Sequence, residues 1–315
     1  MMETIKAKIK IADTQFAHGT SLGSGDLKIY PKFFEWYRGD ENMNDIIVIT
    51  ESMFHKVDTF TEKIKIAWLI EPVSINSESY RWIEQHLYKF KFILSHNLEF
   101  IEDLKKIKLK TCAQNYDLIP ENNPLILWYP FGGCWIMPED RKIYPKTKAV
   151  SIIASAKRET EGHKLRHEII AALGDKIDVY GHGYKSVENK LEALKDYQYS
   201  IVIENEKTPG FFTEKVIDCF MTGTIPIYWG DNVNMEKADG IKNPQRLQII
   251  SFSHDNINEL KKNIDEIYNN EPHDHIMDGS LQFYNFHAAA RYTCPEDWLW
   301  LNFFTKYFNS SVTYK

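Results

Sequence analysis

The feature that most constrains this chain is the alternation of short apolar runs with segments of helical period, carried through both halves of the sequence. In the second half AVSIIAS is an apolar run of strand length, and IDVYG is another. Between them HKLRHEIIAALG sets Leu165, Ile169 and Leu173 on one helical stripe, with Gly174 placed for the C-terminal cap. ENKLEALKDY then predicts a short helix and YSIVIEN a buried strand. FFTEKVIDCFMTG predicts a helix capped by Thr213 and closed by glycine, and TIPIYWG a further strand. Strands and helices in strict alternation build a parallel sheet with helices on its faces.

The first half repeats the pattern. DIIVIT, KIAWLI, KFILS and LILWYPF are strand-length runs, while SESYRWIEQHLYKF, with Tyr80, Ile83, Leu87 and Phe90, and LEFIEDLKKI have helical spacing. A chain of 315 residues exceeds what one core usually fills, so two α/β domains are expected. The polar, proline-bearing PEDRKIYPKTK places the boundary between Pro138 and Lys148, giving domains of residues 1–145 and 146–295. DNINELKKNIDEIYNN, capped by Asp255, and the tail PEDWLWLNFFTKYF close the chain as helices. The spacing of Trp298, Trp300, Phe303 and Phe304 suits docking on the protein's own core better than stacking on sugar or lipid.

Composition narrows the function. At 43% hydrophobic and 26% charged residues the chain is of globular type, and a net charge of −6 offers no general attraction to nucleic acid. No apolar run reaches the length that spans a bilayer, and the start lacks a signal-peptide core. A cytoplasmic enzyme, or one separated from its anchor, is expected. Cys112, Cys134, Cys219 and Cys294 lack the close spacing of a zinc or redox motif and read as buried thiols. His273-Asp274-His275 reads as a solvated loop, since adjacent residues point apart. Gly23-Ser24-Gly25 reads as a turn, because IADTQFAHGT before it makes a poor buried strand. No Gly-x-Gly-x-x-Gly supports a dinucleotide-dependent dehydrogenase.

The stretch with chemical content is Tyr199 to Gly230, where polar residues cluster between the end of a buried strand and the start of a helix, the place where open α/β sheets bind ligands. Thr213 puts Glu214 and Lys215 in the first helical turn, where backbone N–H groups favour an anion such as a diphosphate. A lysine there is explained by a phosphate, and a carboxylate by a pair of ribose hydroxyls. Two solvated surface charges on an ordinary helix would have the same spacing. His182, between Gly181 and Gly183 at the end of a strand, reads as a turn residue before a nucleotide contact.

These residues carry a resemblance. IENE, TEK and MTGTIPIYWG are similar to the donor-binding signature of glycosyltransferase family 10, the α-1,3-fucosyltransferases. SIIASAKRETEGHKLRHEIIAAL resembles that family's strand, loop and helix with its donor-binding arginine, here Arg166, and IDVYGHG the strand and glycine turn that follow. The resemblance implies an inverting enzyme of the GT-B fold, two Rossmann-like domains facing across a cleft. The second would bind the nucleotide sugar, and the last helix (about 296–315) would return to the first.

Residue by residue, the resemblance implies that Arg166 and Lys215 hold the diphosphate, Glu214 the ribose and Asn205 a nearby donor group. An inverting transfer also needs a base, and Glu71, which ends KIAWLIE before Pro72, resembles the family's glutamate in the facing domain. A carboxylate capping the next loop would look the same. No Asp-x-Asp pair stands at a suitable strand end, so no metal is expected and arginine and lysine take the ion's place. The expected partners are GDP-fucose and a glycan hydroxyl. Another nucleotide sugar, or a non-catalytic glycan- or nucleotide-binding protein of the same fold, stays open. Asp218-Cys219-Phe220 departs from the Arg-Asn-Ala that relatives often carry, which bears on sugar specificity.

Overall fold

The computed structural model describes residues 7–14, 30–39, 45–114, 123–231, 250–252, 257–269 and 279–308. The chain divides into two units. The first takes residues up to Phe131, Pro209–Phe211 and those from Cys294 onward; the second takes Gly132–Thr208 and Phe212–Thr293.

In the first unit, β1 (Ala7–Ala12), β2 (Phe34–Tyr37), β3 (Ile46–Thr50), β4 (Ile64–Leu69), β5 (Phe92–Ser95) and β6 (Leu125–Trp128) form a parallel sheet in the order β2-β1-β3-β4-β5-β6. Residues of alternate parity face opposite sides, so an uninterrupted apolar strand supplies two cores at once. Ile47, Ile49, Ala67 and Leu69 pack with Tyr80, Ile83, Phe100 and Leu104 of α1 (Val73–His86) and α2 (Leu98–Gln114). Val48, Ile66 and Trp68 face the other way, onto Leu299, Trp300, Phe303 and Phe304. Those four belong to the final helical run, Pro295–Leu299, a π turn at Trp300–Phe304 and Thr305–Phe308. The tail aromatics thus serve the core, as their spacing suggests.

β1 corrects one expectation. Ile11 and Ala12 of IADTQF end a genuine strand, in which Ala7, Ile9 and Ile11 point into the core while Lys8 is exposed and Lys10 pairs with the buried Glu62 at 2.6 Å. The alternation begins before the segment that looked like a poor strand. Gly23-Ser24-Gly25, Asp255 and His273-Asp274-His275 lie outside the described residues.

The second unit holds β7 (Lys148–Ile153), β8 (Asp178–Tyr180), β9 (Tyr197–Ile203), β10 (Ile225–Trp229) and β11 (Ile250–Ser251). They form a parallel sheet in the order β11-β10-β9-β7-β8. Its helices are α3 (Glu161–Leu173), α4 (Glu214–Phe220), α5 (Ile257–Asn269) and α6 (Gly279–Ala289). The strand order reverses between β7 and β9, so the crevice beyond their carboxyl ends is the switch point at which such sheets take ligands. Leu165, Ile169 and Leu173 of α3 are buried against Val150, Ile152, Ile201 and Ile203. ENKLEALKDY forms only a 3₁₀ turn, Lys190–Ala193, held by the Asn189 side chain accepting the Leu191 N–H at 2.9 Å.

The polar stretch read as a linker is tied to the second unit. Lys146 Nζ donates to Lys195 O at 3.0 Å, Thr222 O at 2.8 Å and Thr224 Oγ1 at 3.0 Å, and burial lowers its pKa to about 8. The division between units accordingly falls at Phe131/Gly132, ahead of the 145/146 boundary that composition suggests. Cys134, Cys219 and Cys294 are buried thiols. Among the described residues no helix is long and apolar enough to cross a membrane.

Two glycines set the geometry around the switch point. Gly181 has φ +114° as the chain leaves β8, and a Cβ there would strike the Ala154 carbonyl. Gly162, in the first turn of α3, donates its N–H to Asn205 O at 3.1 Å and lies so close to Glu204 that a Cβ would run into its carbonyl oxygen. Gly162→Ala is expected to push α3 off the end of β9 and cost about 1–3 kcal/mol of stability. This would be read as a lower urea midpoint with unchanged slope. A variant as stable as the native chain would show that the approach tolerates a methyl group.

Candidate functional site

Beyond the ends of β7, β8 and β9 lies a cavity of about 460 Å³ lined by Ile153–Ser155, Gly181, His182, Ser200–Ile203 and the charged side chains Arg166, Lys190, Glu214, Lys215 and Asp218, with Trp135 and others beside them. Arg166 comes from the second turn of α3 and is only 6% exposed. Its Nε and Nη2 donate to Ile203 O at 3.2 and 2.5 Å, and Nη2 also donates to Asn205 Oδ1 at 3.1 Å. Burial lowers its pKa, opposed by the Glu204 and Glu214 carboxylates. Nη1 has no partner among the described residues.

Lys215 is fixed from the same strand end. Glu204, fully buried, accepts the Thr213 N–H at 2.9 Å, the Thr213 hydroxyl, and Lys215 Nζ at 3.1 Å. Thr213 caps α4 by accepting the Lys215 N–H. Because α4 has only seven residues, its dipole is small, and the positive character of the cavity rests on side chains. Glu214 lies 3.2 Å from Lys190 Nζ and 3.6 Å from Lys215 Nζ. Burial would raise its pKa, but the two ammonium groups overcome that and bring it down to about 2. The carboxylate is therefore an acceptor at any ordinary pH.

Of the residues singled out in the sequence, Arg166, His182, Glu214 and Lys215 line this one cavity, while Asn205 meets Arg166 beside it. Glu204 and Lys190 lacked a signal of their own. Glu204 is the first glutamate of IENE, and Lys190 stands on a turn remote in sequence. Lys190 Nζ donates to Glu214 Oε1 and, at 3.1 Å, to Asp218 Oδ2, which is 1% exposed. Burial disfavours the Lys190 ammonium, yet Asp218 and Glu214 outweigh it and raise its pKa. Burial raises the pKa of Asp218 despite Lys190. Among the described residues no group of three His, Cys, Asp or Glu is arranged to hold a metal ion.

Glu71 belongs to the first unit, two residues past β4. Its N–H donates to Glu51 Oε1 at 2.7 Å, alongside a bond from Ile70 N–H to the same oxygen, and its carbonyl accepts from Tyr80 OH at 2.9 Å. Tyr80 OH also lies 3.5 Å from Nε2 of the fully buried His96, whose pKa burial lowers to about 3. Glu51 is 4% exposed and Oε2 has no partner among the described residues. The signal that singles out Glu71, a polar residue ending an apolar run, applies equally to Glu51 after DIIVIT and to His96 after KFILS.

The second unit is thus an α/β fold with a crevice of charged side chains at its switch point, the place where open sheets of this kind take ligands. Residues 143–273 match the family model described as glycosyltransferase family 10 (fucosyltransferase) C-term. The chain is 48% identical over 48 residues to the alpha-(1,3)-fucosyltransferase FucT of Helicobacter pylori, a match over 15% of this chain and 10% of that protein. A crystal structure of an alpha1,3-fucosyltransferase with GDP-fucose aligns over 90% of this chain and 81% of the other, at 16% identity and a TM-score of 0.44. The spinosyn forosaminyltransferase SpnP aligns over 80% and 74% at 10% identity and a TM-score of 0.34.

Burial pushes Glu51 from an ordinary 4.5 up to about 7, although backbone N–H groups of Ile70 and Glu71 favour its charged form. Between those values the folded chain keeps a proton that the unfolded chain has lost, so stability falls as pH rises through that window. The loss between pH 5 and pH 8 is expected to be on the order of 1–3 kcal/mol and to be absent in Glu51→Gln. Urea unfolding of both chains at the two pH values measures it. An equal slope in the variant would assign the proton to another group.

Proposed function

We propose that the chain is an inverting glycosyltransferase of GT-B architecture that transfers fucose from GDP-fucose to a hydroxyl of a glycan, in the manner of an α-1,3-fucosyltransferase and without a metal ion. The observation that carries this reading is that Arg166 and Lys215, well apart in sequence, line one cavity together with the ionised Glu214. The match of residues 143–273 to a fucosyltransferase family model points the same way.

In the reaction, the acceptor oxygen attacks the anomeric carbon from the face opposite the diphosphate. The bond from that carbon to the β-phosphate oxygen breaks, and its electron pair stays on GDP. Arg166 and Lys215 stabilise the charge gathering on the leaving diphosphate, which is where preorganised cations contribute most. Glu214 accepts from the ribose hydroxyls, Asn205 orients Arg166 and a donor group, and His182 borders the nucleotide. Glu71 takes the acceptor proton. The bonds from Glu51 and Tyr80 to its backbone suit a side chain whose direction matters.

Arg166→Ala and Lys215→Ala are each expected to weaken GDP binding by about 1.5–3 kcal/mol, the worth of a charge-assisted contact, measured by titration calorimetry. Undiminished binding in either would remove that residue from the diphosphate. Glu71→Gln is expected to keep GDP affinity while slowing transfer about a hundredfold or more. Normal turnover would take the base role from Glu71. The donor is tested by mass spectrometry of products from GDP-fucose set against other nucleotide sugars. A chain that binds donors and forms no product with any of them would be a binding protein.

A further inference from the structure

Glu214 and Asp218 are four residues apart on α4 and therefore share one face of the helix, where like charges repel. Both line the cavity, and a diphosphate entering it would meet two carboxylates. Lys190 Nζ sits between them, 3.2 Å from Glu214 Oε1 and 3.1 Å from Asp218 Oδ2, with its ammonium 4.7 Å from the ring centroid of Trp135. Trp135 is held in turn by its backbone N–H, which donates to Asp218 Oδ1 at 2.7 Å. The lining has three cations, Arg166, Lys190 and Lys215, against two carboxylates, Glu214 and Asp218, and Glu204 beside it, 3.1 Å from Lys215 Nζ, makes the count even. Taking Lys190 away tips that balance to negative and leaves the two carboxylates adjacent.

We propose that Lys190 is a positioning residue for donor binding. By bridging Glu214 and Asp218 it cancels their repulsion of a nucleoside diphosphate and aims Glu214 at the ligand's hydroxyls, while Trp135 covers the ammonium. The proposal rests on the cavity being the nucleotide-sugar site. It adds a residue from the 3₁₀ turn before β9 to those already named, and it makes Asp218 the source of the charge that Lys190 must offset.

The test is titration of GDP into the full chain, with thermal melting of each variant alongside. Lys190→Met is expected to weaken GDP about tenfold or more, and Lys190→Arg to stay within about threefold of the native chain. Lys190→Met combined with Asp218→Asn is expected to regain most of the lost affinity, since the carboxylate left without a counter-charge is gone. Asp218→Asn alone is expected to bind GDP at least as tightly as the native chain, which keeps the proposal testable should Lys190→Met not fold. The proposal is overturned by a Lys190→Met chain that binds GDP normally, by a double variant as weak as the single one, or by an Asp218→Asn chain that binds more weakly. A native chain that binds no nucleoside diphosphate overturns the reading of the cavity itself, and the proposal with it.

Discussion

Ile203, the last residue of β9, offers its carbonyl to Nε and Nη2 of Arg166, and the next residue, Glu204, takes the ammonium of Lys215 and the hydroxyl of Thr213. One strand end thus fixes two cations that come from different helices. Were β9 to end elsewhere, Arg166 would lose its acceptor and α4 the anchor of its capping threonine. The sheet gives that strand little latitude, because β9 lies between β7 and β10 and is paired along most of its length.

Such an arrangement is costly. Removing charges from water is offset only by close partners, and a buried ion pair is seldom more stable than apolar residues in the same space. Arg166, Glu204 and Asp218 are all nearly or wholly buried, and each has a charged or carbonyl partner within hydrogen-bonding distance. A chain selected for stability alone would fill this end of the sheet with leucine. The physical argument for ions here is geometric: they set side-chain direction more sharply than apolar packing does. Glu51 follows the same logic in the first unit, where one buried carboxyl holds the backbone on which Glu71 stands.

Much of the second unit can be read without coordinates, because β7, β9 and β10 are largely buried and leave mainly apolar runs, while Thr213 and Gly174 mark helix ends. β1 is harder. Its lysines at positions 8 and 10 break the run, and only the alternation beginning at Ala7 betrays a strand. β2 has four residues, too few to show a period. Lys190 left no trace, since it stands 24 residues before Glu214 on a single turn whose placement is decided by tertiary contacts. Local pattern reports which faces are apolar. It does not report which charges from distant turns meet at a strand end.

The closeness of Gly162 to the end of β9 carries a consequence for how this chain can change over generations. The amide of Gly162 meets Asn205 O, and there is no room for even a methyl group against Glu204. Arg166 lies one turn further along the same helix, so any side chain at 162 would also shift the guanidinium. Helix α3 exposes Lys164 to solvent, but at position 162 its first turn is locked to a hydrogen atom. Drift at that one position is closed off by sterics alone, before any demand of chemistry is counted.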